Sequence, residues 1–247
     1  MFPISDDKLE PGTPIVTWGL IAASVLVFFW QYSLPPGAAE RAVYRFGLVP
    51  GVLFGTTQIP DAPVPAWMTV ISSMFMHGGL AHLGGNMLYL WIFGDNVELA
   101  MGRLRFLAFY LLTGIAAALS HSLLVPASTV PLVGASGAIS GVLGAYLLLY
   151  PHGRVRVLFV IVPIIFMRSF YVSALVVLGL WFAMQVASGL MSPVEEAGIA
   201  FWAHAGGFVA GMVLVPFFKR REVPLFHKAA PKIFDGRESG RRRGPWG

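Results

Sequence analysis

The sequence predicts an all-α membrane protein built as a bundle of six transmembrane helices. The chain of 247 residues is 56% hydrophobic and 12% charged, whereas soluble domains average about 25% charged residues. Apolar stretches of about 20 residues, the length that spans a bilayer, recur along the chain. Basic residues gather between alternate pairs of these stretches. One soluble core of this size cannot bury so much apolar surface, so we expect lipid to cover the rest.

The predicted helices define three parts of the chain. They are a short cytoplasmic N-terminus (1–13), a six-helix membrane domain (14–218) and a basic, disordered cytoplasmic tail (219–247). The six predicted spans are 14–34, 79–97, 104–125, 134–151, 169–190 and 200–218. Residues 157–166 are also apolar, but they are short, contain Pro163 and lie between arginines. We expect them to form an interfacial or re-entrant segment, or to extend the fifth helix.

The predicted outer loop at 35–78 is much longer than the other connections and rich in apolar residues. Long structureless loops are uncommon in compact domains. We therefore expect this loop to be partly embedded in the membrane or to lie against the helices.

The distribution of basic residues predicts the orientation in the membrane. Eight lie on one side of the predicted bundle, namely Arg103, Arg105, Arg154, Arg156, Arg168, Lys219, Arg220 and Arg221. Only Arg41 and Arg45 lie on the other side. By the positive-inside tendency, both termini face the cytoplasm, and we expect a multi-pass protein of the bacterial inner membrane.

The net charge of +5 comes largely from the end of the chain. Nine of the 17 Lys and Arg residues fall in the last 29. A basic tail directly after an apolar segment favours contact with anionic lipids, and not a nucleic-acid partner. The absence of Cys excludes disulfides and thiolate chemistry.

Polar side chains occur where the second, fourth and sixth predicted helices begin. Such groups are costly at membrane depth and are functional candidates by default. His82 and Asn86 lie four residues apart, on one face of the second helix. Ser136 lies near the start of the fourth helix and His204 near the start of the sixth. Because these three helices are predicted to run in the same direction, the four side chains should share a shallow depth below the outer surface.

These residue types predict nucleophilic catalysis. A serine hydroxyl is a poor nucleophile until a base takes its proton, and a neutral imidazole suits that role near pH 7. Free N–H groups at the helix start, the Asn86 amide and the His82 ring can all donate to a developing oxyanion. No Asp or Glu is placed to orient His204. The prediction is therefore a dyad of Ser136 and His204.

Three motifs of the chain resemble those of the rhomboid intramembrane serine proteases. They are Gly134-Ala135-Ser136-Gly137, the set His77, His82 and Asn86, and the set His204, Gly207 and Gly211. The resemblance covers residues 14–218 and implies a six-helix rhomboid-like bundle. It also implies hydrolysis of transmembrane protein substrates near the outer face, with no cofactor or metal. In the family's scheme Ser136 and His204 are the catalytic pair, while His82, Asn86 and the Ser136 amide form the oxyanion hole.

The chain departs from the family pattern at two positions. Met68 follows Trp67, where many relatives have Arg, and Ser140 stands where some relatives have a Tyr that stacks on the base. We therefore expect substrate gating to depart from the family pattern, and His204 to be loosely held because Ser140 offers no ring to stack on it.

Sequence features argue against several other classes of membrane protein. The motif HExxH is absent and no pair of Asp residues lies in the spans, which argues against zinc and aspartyl proteases. A transporter with broken helices predicts internal repeats, and none is found. A catalytically silent rhomboid-like protein that binds membrane clients remains the alternative, and intact Ser136 and His204 argue against it. For His77, a structural role in tying down the long loop is at least as favoured as a catalytic one.

Overall fold

The computed structural model describes residues 2–7, 10–60, 63–161, 166–191 and 201–227. These residues are mostly helical. Their longer helices are α1 (Ile15–Ser33), α5 (Leu80–Met101), α6 (Arg103–Ser122), α7 (Ser136–Leu149), α8 (Ala174–Met191) and α9 (Phe201–Phe218). Three shorter helices, α2 (Pro36–Phe46), α3 (Pro50–Leu53) and α4 (Ala66–Ser72), lie between α1 and α5.

Four of the described helices, α1, α6, α8 and α9, are long and apolar enough to cross a membrane. Helix α7 is apolar but has only 14 residues, and the 22-residue α5 is less uniformly apolar because it includes Asp95 and Glu98. The apolar helices agree with a helical membrane protein. The count of six spans stays a prediction.

The expectation of an all-α chain is wrong at the end of the bundle where α7 finishes. Strands β1 (Phe2–Asp6), β2 (Arg154–Ile161) and β3 (Phe166–Ser173) form an antiparallel sheet in the order β1-β2-β3. The described residues of the segment predicted at 157–166 lie in β2 and β3, and the fifth long helix begins only at Ala174. Residues 162–165, within that segment, lie outside the described residues.

The residues of β2 alternate between exposed and buried side chains, which explains why they form a strand. Arg154 and Arg156 are exposed, while the alternating Val155 and Val157 are fully buried. A period of two with β-branched residues on the buried face is the signature of a half-buried strand.

The long loop packs on the helical bundle. Leu48 and Val70 of the loop form an apolar cluster with Ala118 of α6. The backbones of Leu48 and Leu132 exchange two hydrogen bonds, of 3.0 and 2.7 Å. These contacts hold the loop against the protein, while its depth in a membrane stays a prediction.

Glycines lie at the contact between α7 and α9 and show the relative direction of the two helices. The Cα of Gly207 lies against the carbonyl of Gly137, and that of Gly211 against the carbonyl of Gly141. Because both partners advance by four residues, α7 and α9 run in the same direction. Close approach of backbones through glycine is a usual device of membrane helix pairs.

Both ends of the described chain meet at one end of the bundle. Tyr146 donates to Asp6 at 2.7 Å, and Tyr150 donates to Glu10 at 2.8 Å. After α9, the Arg220 amide donates to the Ala100 carbonyl at 2.9 Å. This end lies opposite the start of α7. The prediction of a disordered tail is wrong for residues 219–227, because the amides of Phe226 and His227 donate to the carbonyls of Leu148 and Leu149 at 2.7 and 2.8 Å. Residues 228–247 of the predicted tail and the loop 192–200 fall outside the described residues.

Candidate active site

The side chains of Ser136 and His204 meet between α7 and α9. The hydroxyl oxygen of Ser136 lies 2.8 Å from Nε2 of His204, although the two residues are 68 positions apart in sequence. This approach is possible because glycines on both helices bring their backbones into contact one turn further along. The predicted nucleophile and base are thus within hydrogen-bond reach.

Ser136 is the first residue of α7, directly after a sharp backbone turn. Gly134 has φ +122°, a conformation that residues with a Cβ rarely adopt. The first amides of α7, beginning with that of Ser136, follow this turn directly. These amides have no carbonyl within the helix to accept from them, so they are free to bind an anion.

His82 and Asn86 of α5 lie against this turn. A methyl group on Gly134 would lie 2.8 Å from Nε2 of His82 and 3.5 Å from Nδ2 of Asn86. The structure thus brings both predicted oxyanion donors to the backbone two residues before Ser136. Glycine is required at position 134 both for its φ and because any side chain would fill this space.

The hydrogen bonds of His82 define which ring nitrogen carries its proton. The Gly78 amide donates to Nδ1 of His82 at 3.4 Å. In a neutral ring the proton is then on Nε2, the nitrogen that faces Gly134. Nδ2 of Asn86 is buried, and none of the described residues accepts from it. Two N–H donors therefore remain available beside Ser136.

His77 is buried just before α5, and its contacts are those of an anchor. Gln31 of α1 donates to the His77 carbonyl at 3.0 Å, and Nδ1 of His77 lies 3.1 Å from the Phe75 carbonyl. Burial, with a smaller contribution from the charge of His82, lowers the pKa of His77 to about 4. The His77 ring is thus neutral near pH 7 and packs edge-on against His82 at 5.3 Å.

The other nitrogen of His204 has a partner that the sequence analysis missed. Nδ1 of His204 lies 2.8 Å from Oε1 of Gln185 on α8. Trp181, one turn earlier on α8, has its ring centre 6.0 Å from that of His204. The expectation of a loosely held base is therefore not met by the geometry. The available signal was Gln185 itself, a polar side chain within an apolar predicted helix.

Two further features border Ser136. Ser140 donates to the Ser136 carbonyl at 2.6 Å, a bond within α7 that does not reach His204. A cavity of about 20 Å³ lies beside Ser136 and is lined in part by Ser73, Met74 and Ala203. A space of this size fits a single water molecule. Within the part of the chain that the structure describes, no group of acidic or His side chains could hold a metal ion.

Fold and site together define a polytopic helical membrane protein with a serine–histidine pair at the starts of two parallel helices. Sequence comparison gives this class a name. The family model of the rhomboid domain matches residues 65–221, more than half of the chain. The chain belongs to the rhomboid family.

Relatives within the family include proteins named as proteases and proteins named only as rhomboid-like. The chain is 30% identical to rhomboid protease AarA of Providencia stuartii over 85% of this chain and 74% of that protein. It is 28% identical to rhomboid protease GluP of Bacillus subtilis over 82% of this chain, but spans only 34% of that relative's length. It is 29% identical to the human mitochondrial presenilin-associated rhomboid-like protein, over 90% of this chain and 55% of that protein.

Proposed function

We propose that this protein is an intramembrane serine endopeptidase that hydrolyses peptide bonds of transmembrane protein substrates. The single observation that supports this function best is the 2.8 Å contact between Ser136 Oγ and His204 Nε2 beside two unused N–H donors. A serine placed only for helix packing would need neither a base nor donors. The names of the protease relatives point to the same reaction.

In the proposed reaction, Ser136 Oγ attacks the substrate carbonyl carbon while His204 Nε2 takes the hydroxyl proton. The carbonyl oxygen becomes an oxyanion and accepts from His82 Nε2–H, Asn86 Nδ2–H and the Ser136 amide. As the C–N bond breaks, His204 returns the proton to the leaving amine. Water, activated by His204 in the same way, then hydrolyses the acyl-enzyme and releases the acid product. No metal or cofactor takes part in these steps.

The membrane setting of the proposal follows the charge pattern. We place all six long helices across the bilayer, both termini in the cytoplasm and Ser136 near the outer face of a bacterial inner membrane. Helices α7 and α9 run in the same direction. The start of α7 therefore lies at the end of the bundle away from Arg154, which follows α7, and from Arg220, which follows α9. Substrates reach the site from the membrane, and anionic lipids contact the basic tail.

Cleavage of a transmembrane reporter by detergent-purified protein tests the proposed function. We expect the wild-type chain to cleave and to be labelled by a fluorophosphonate probe, and Ser136→Ala and His204→Ala each to abolish both signals. Ser24→Ala and His152→Ala are matched controls, because Ser24 Oγ has no partner among the described residues and His152 is exposed. Continued cleavage by Ser136→Ala would overturn the mechanism.

The same experiment separates a protease from a silent client-binding protein. If the protein only binds clients, the wild type and the Ser136→Ala variant should retain a transmembrane reporter equally well in a pull-down. Ser136 of the wild type should then not react with the probe. Covalent labelling that depends on His204 is expected only of an activated nucleophile.

A further inference from the structure

We propose that Gln185 is a positioning residue that holds His204 in the tautomer and orientation needed to activate Ser136. The inference rests on the proposed function and adds a third member to the predicted pair. It concerns a residue on α8, an element for which the sequence analysis predicted no functional side chain.

The 2.8 Å contact between Gln185 Oε1 and His204 Nδ1 fixes the position of the ring proton. An amide oxygen can only accept a hydrogen bond, so Nδ1 of His204 is the donor and carries the ring proton. A neutral imidazole has a single N–H, which leaves a lone pair on Nε2. That lone pair faces Ser136 Oγ at 2.8 Å. The other tautomer would set two lone pairs against each other at Nδ1.

The same contact also fixes the orientation of the His204 ring. Because both ring nitrogens are bonded, to partners on α7 and α8, the imidazole cannot rotate without breaking one bond. Trp181 lies on the same face of α8 as Gln185, and its ring packs beside the imidazole with the planes tilted by 37°. Trp181 also contacts Phe208 of α9 at 6.0 Å. Helix α8 thus supplies both the polar and the aromatic contact of the base.

Among the described residues, the His204 ring has no hydrogen-bond partner that competes with Gln185 for Nδ1. In the part of the chain that the structure describes, the hydrogen bonds of the His204 ring go to Ser136 and Gln185, and none goes to a carboxylate. Ser140, which stands where some relatives have a stacking ring, bonds to the Ser136 carbonyl instead. When His204 accepts the serine proton, Nδ1–H keeps its acceptor, so the same bond stabilises the imidazolium.

Steady-state cleavage by the full-length chain provides the first test. Gln185→Met keeps the length of the side chain but removes the acceptor, and we expect kcat to fall about ten- to hundred-fold with KM little changed. The rate of fluorophosphonate labelling should fall by a similar factor. Gln185→Glu retains an acceptor oxygen and should lose less activity than Gln185→Met. The matched control is Gln58→Met, at an exposed position of the first loop, which should behave as wild type.

Nitrogen-15 NMR of labelled histidine tests the inference without relying on activity. The His204 signals are identified by their absence in His204→Gln. We expect Nδ1 to be protonated in the wild type and the tautomers to be mixed in Gln185→Met, at temperatures where both are folded. This readout keeps the test valid if Gln185→Met also melts earlier.

The outcomes distinguish this inference from the proposed function. If Gln185→Met has the same kcat, labelling rate and His204 tautomer as the wild type, the role of Gln185 is overturned and the proposed protease function stands. A protonated Nε2 in the wild type would also overturn it. The wild type could instead prove inactive and unlabelled while its His204 carries the proton on Nδ1 only when Gln185 is present. That result would overturn the proposed protease function but support the positioning contact.

Discussion

Gly211 of α9 lies directly against the carbonyl of Gly141 on α7, so that a methyl group on Gly211 would overlap the neighbouring backbone. The same relationship holds one turn closer to the site, between Gly207 and Gly137. These contacts set the spacing of the two helices. The distance between Ser136 and His204 therefore depends on residues that take no part in the proposed reaction.

Enlarging Gly211 is expected to separate α7 from α9. Gly211→Val should lower the melting temperature, since overpacking costs about 1–3 kcal/mol, and should reduce cleavage because His204 moves away from Ser136. Gly179→Ala is the control, because nothing lies within 4 Å of a methyl group at that position of α8. Thermal unfolding and reporter cleavage in the same detergent measure both effects. Wild-type activity in Gly211→Val would show that the glycine contact does not set the site geometry.

Removing the Asn86 amide should impair the reaction more than the fold. The loss of one oxyanion donor typically lowers kcat about 10²- to 10³-fold, and we expect Asn86→Ala to fall in this range with KM little changed. Its melting temperature should stay close to that of wild type, because Nδ2 makes no hydrogen bond to the described residues. Gly85→Ala, next to it and facing open space, is the control. An unchanged kcat would exclude Asn86 from the oxyanion hole.

Glu98 of α5 caps the N-terminus of α1 and should stabilise the fold. Its carboxyl oxygens accept from the amides of Val16 and Thr17 at 2.9 and 2.7 Å and from the Thr17 hydroxyl at 2.8 Å. Glu98→Ala leaves these donors without an acceptor, which should cost about 2–4 kcal/mol of unfolding free energy. The unfolding free energy of Glu98→Gln should lie between those of Glu98→Ala and the wild type. The control Glu222→Ala, at an exposed position, should leave it unchanged. Equal stability of Glu98→Ala and wild type in equilibrium unfolding would refute the role.

Asp6 makes the docking of β1 dependent on pH. Burial, helped by the charge of Asp95 and opposed by hydrogen bonds from Tyr146 and Asn96, raises the pKa of Asp6 from 3.8 to about 7. In this range the folded chain binds more protons than the unfolded one. The contribution of Asp6 to stability is therefore complete below about pH 4 and is lost as the pH rises through about 7.

Asp6→Asn should remove this dependence. The variant should melt at about the wild-type temperature at low pH and above it near pH 8. Glu40→Gln, at an exposed position of α2, should follow the wild-type profile. Thermal unfolding at about pH 4 and about pH 8 measures the difference, and parallel profiles of wild type and Asp6→Asn would exclude Asp6 as its source.

Much of the helical plan was predictable because lipid imposes simple requirements. Long apolar segments had to be helices, and polar groups at the helix starts were costly enough to mark a site. The sheet is not predicted because the apolar content of residues 157–166 resembles that of a membrane segment, and only the short alternation over Arg154–Val157 indicates a strand. Short strands at a bundle end produce a much weaker pattern than a spanning helix.

The sequence by itself determined which residues make up the proposed site: a serine, two histidines and an asparagine near helix starts, with glycines that allow close packing. Only the tertiary structure decided how the base is held. The contact between Gln185 and His204 joins two helices across 19 residues, and its existence depends on how α8 is rotated about its own axis. Hydropathy does not encode that rotation, because most faces of α8 are apolar and it is side-chain packing against α9 that selects one.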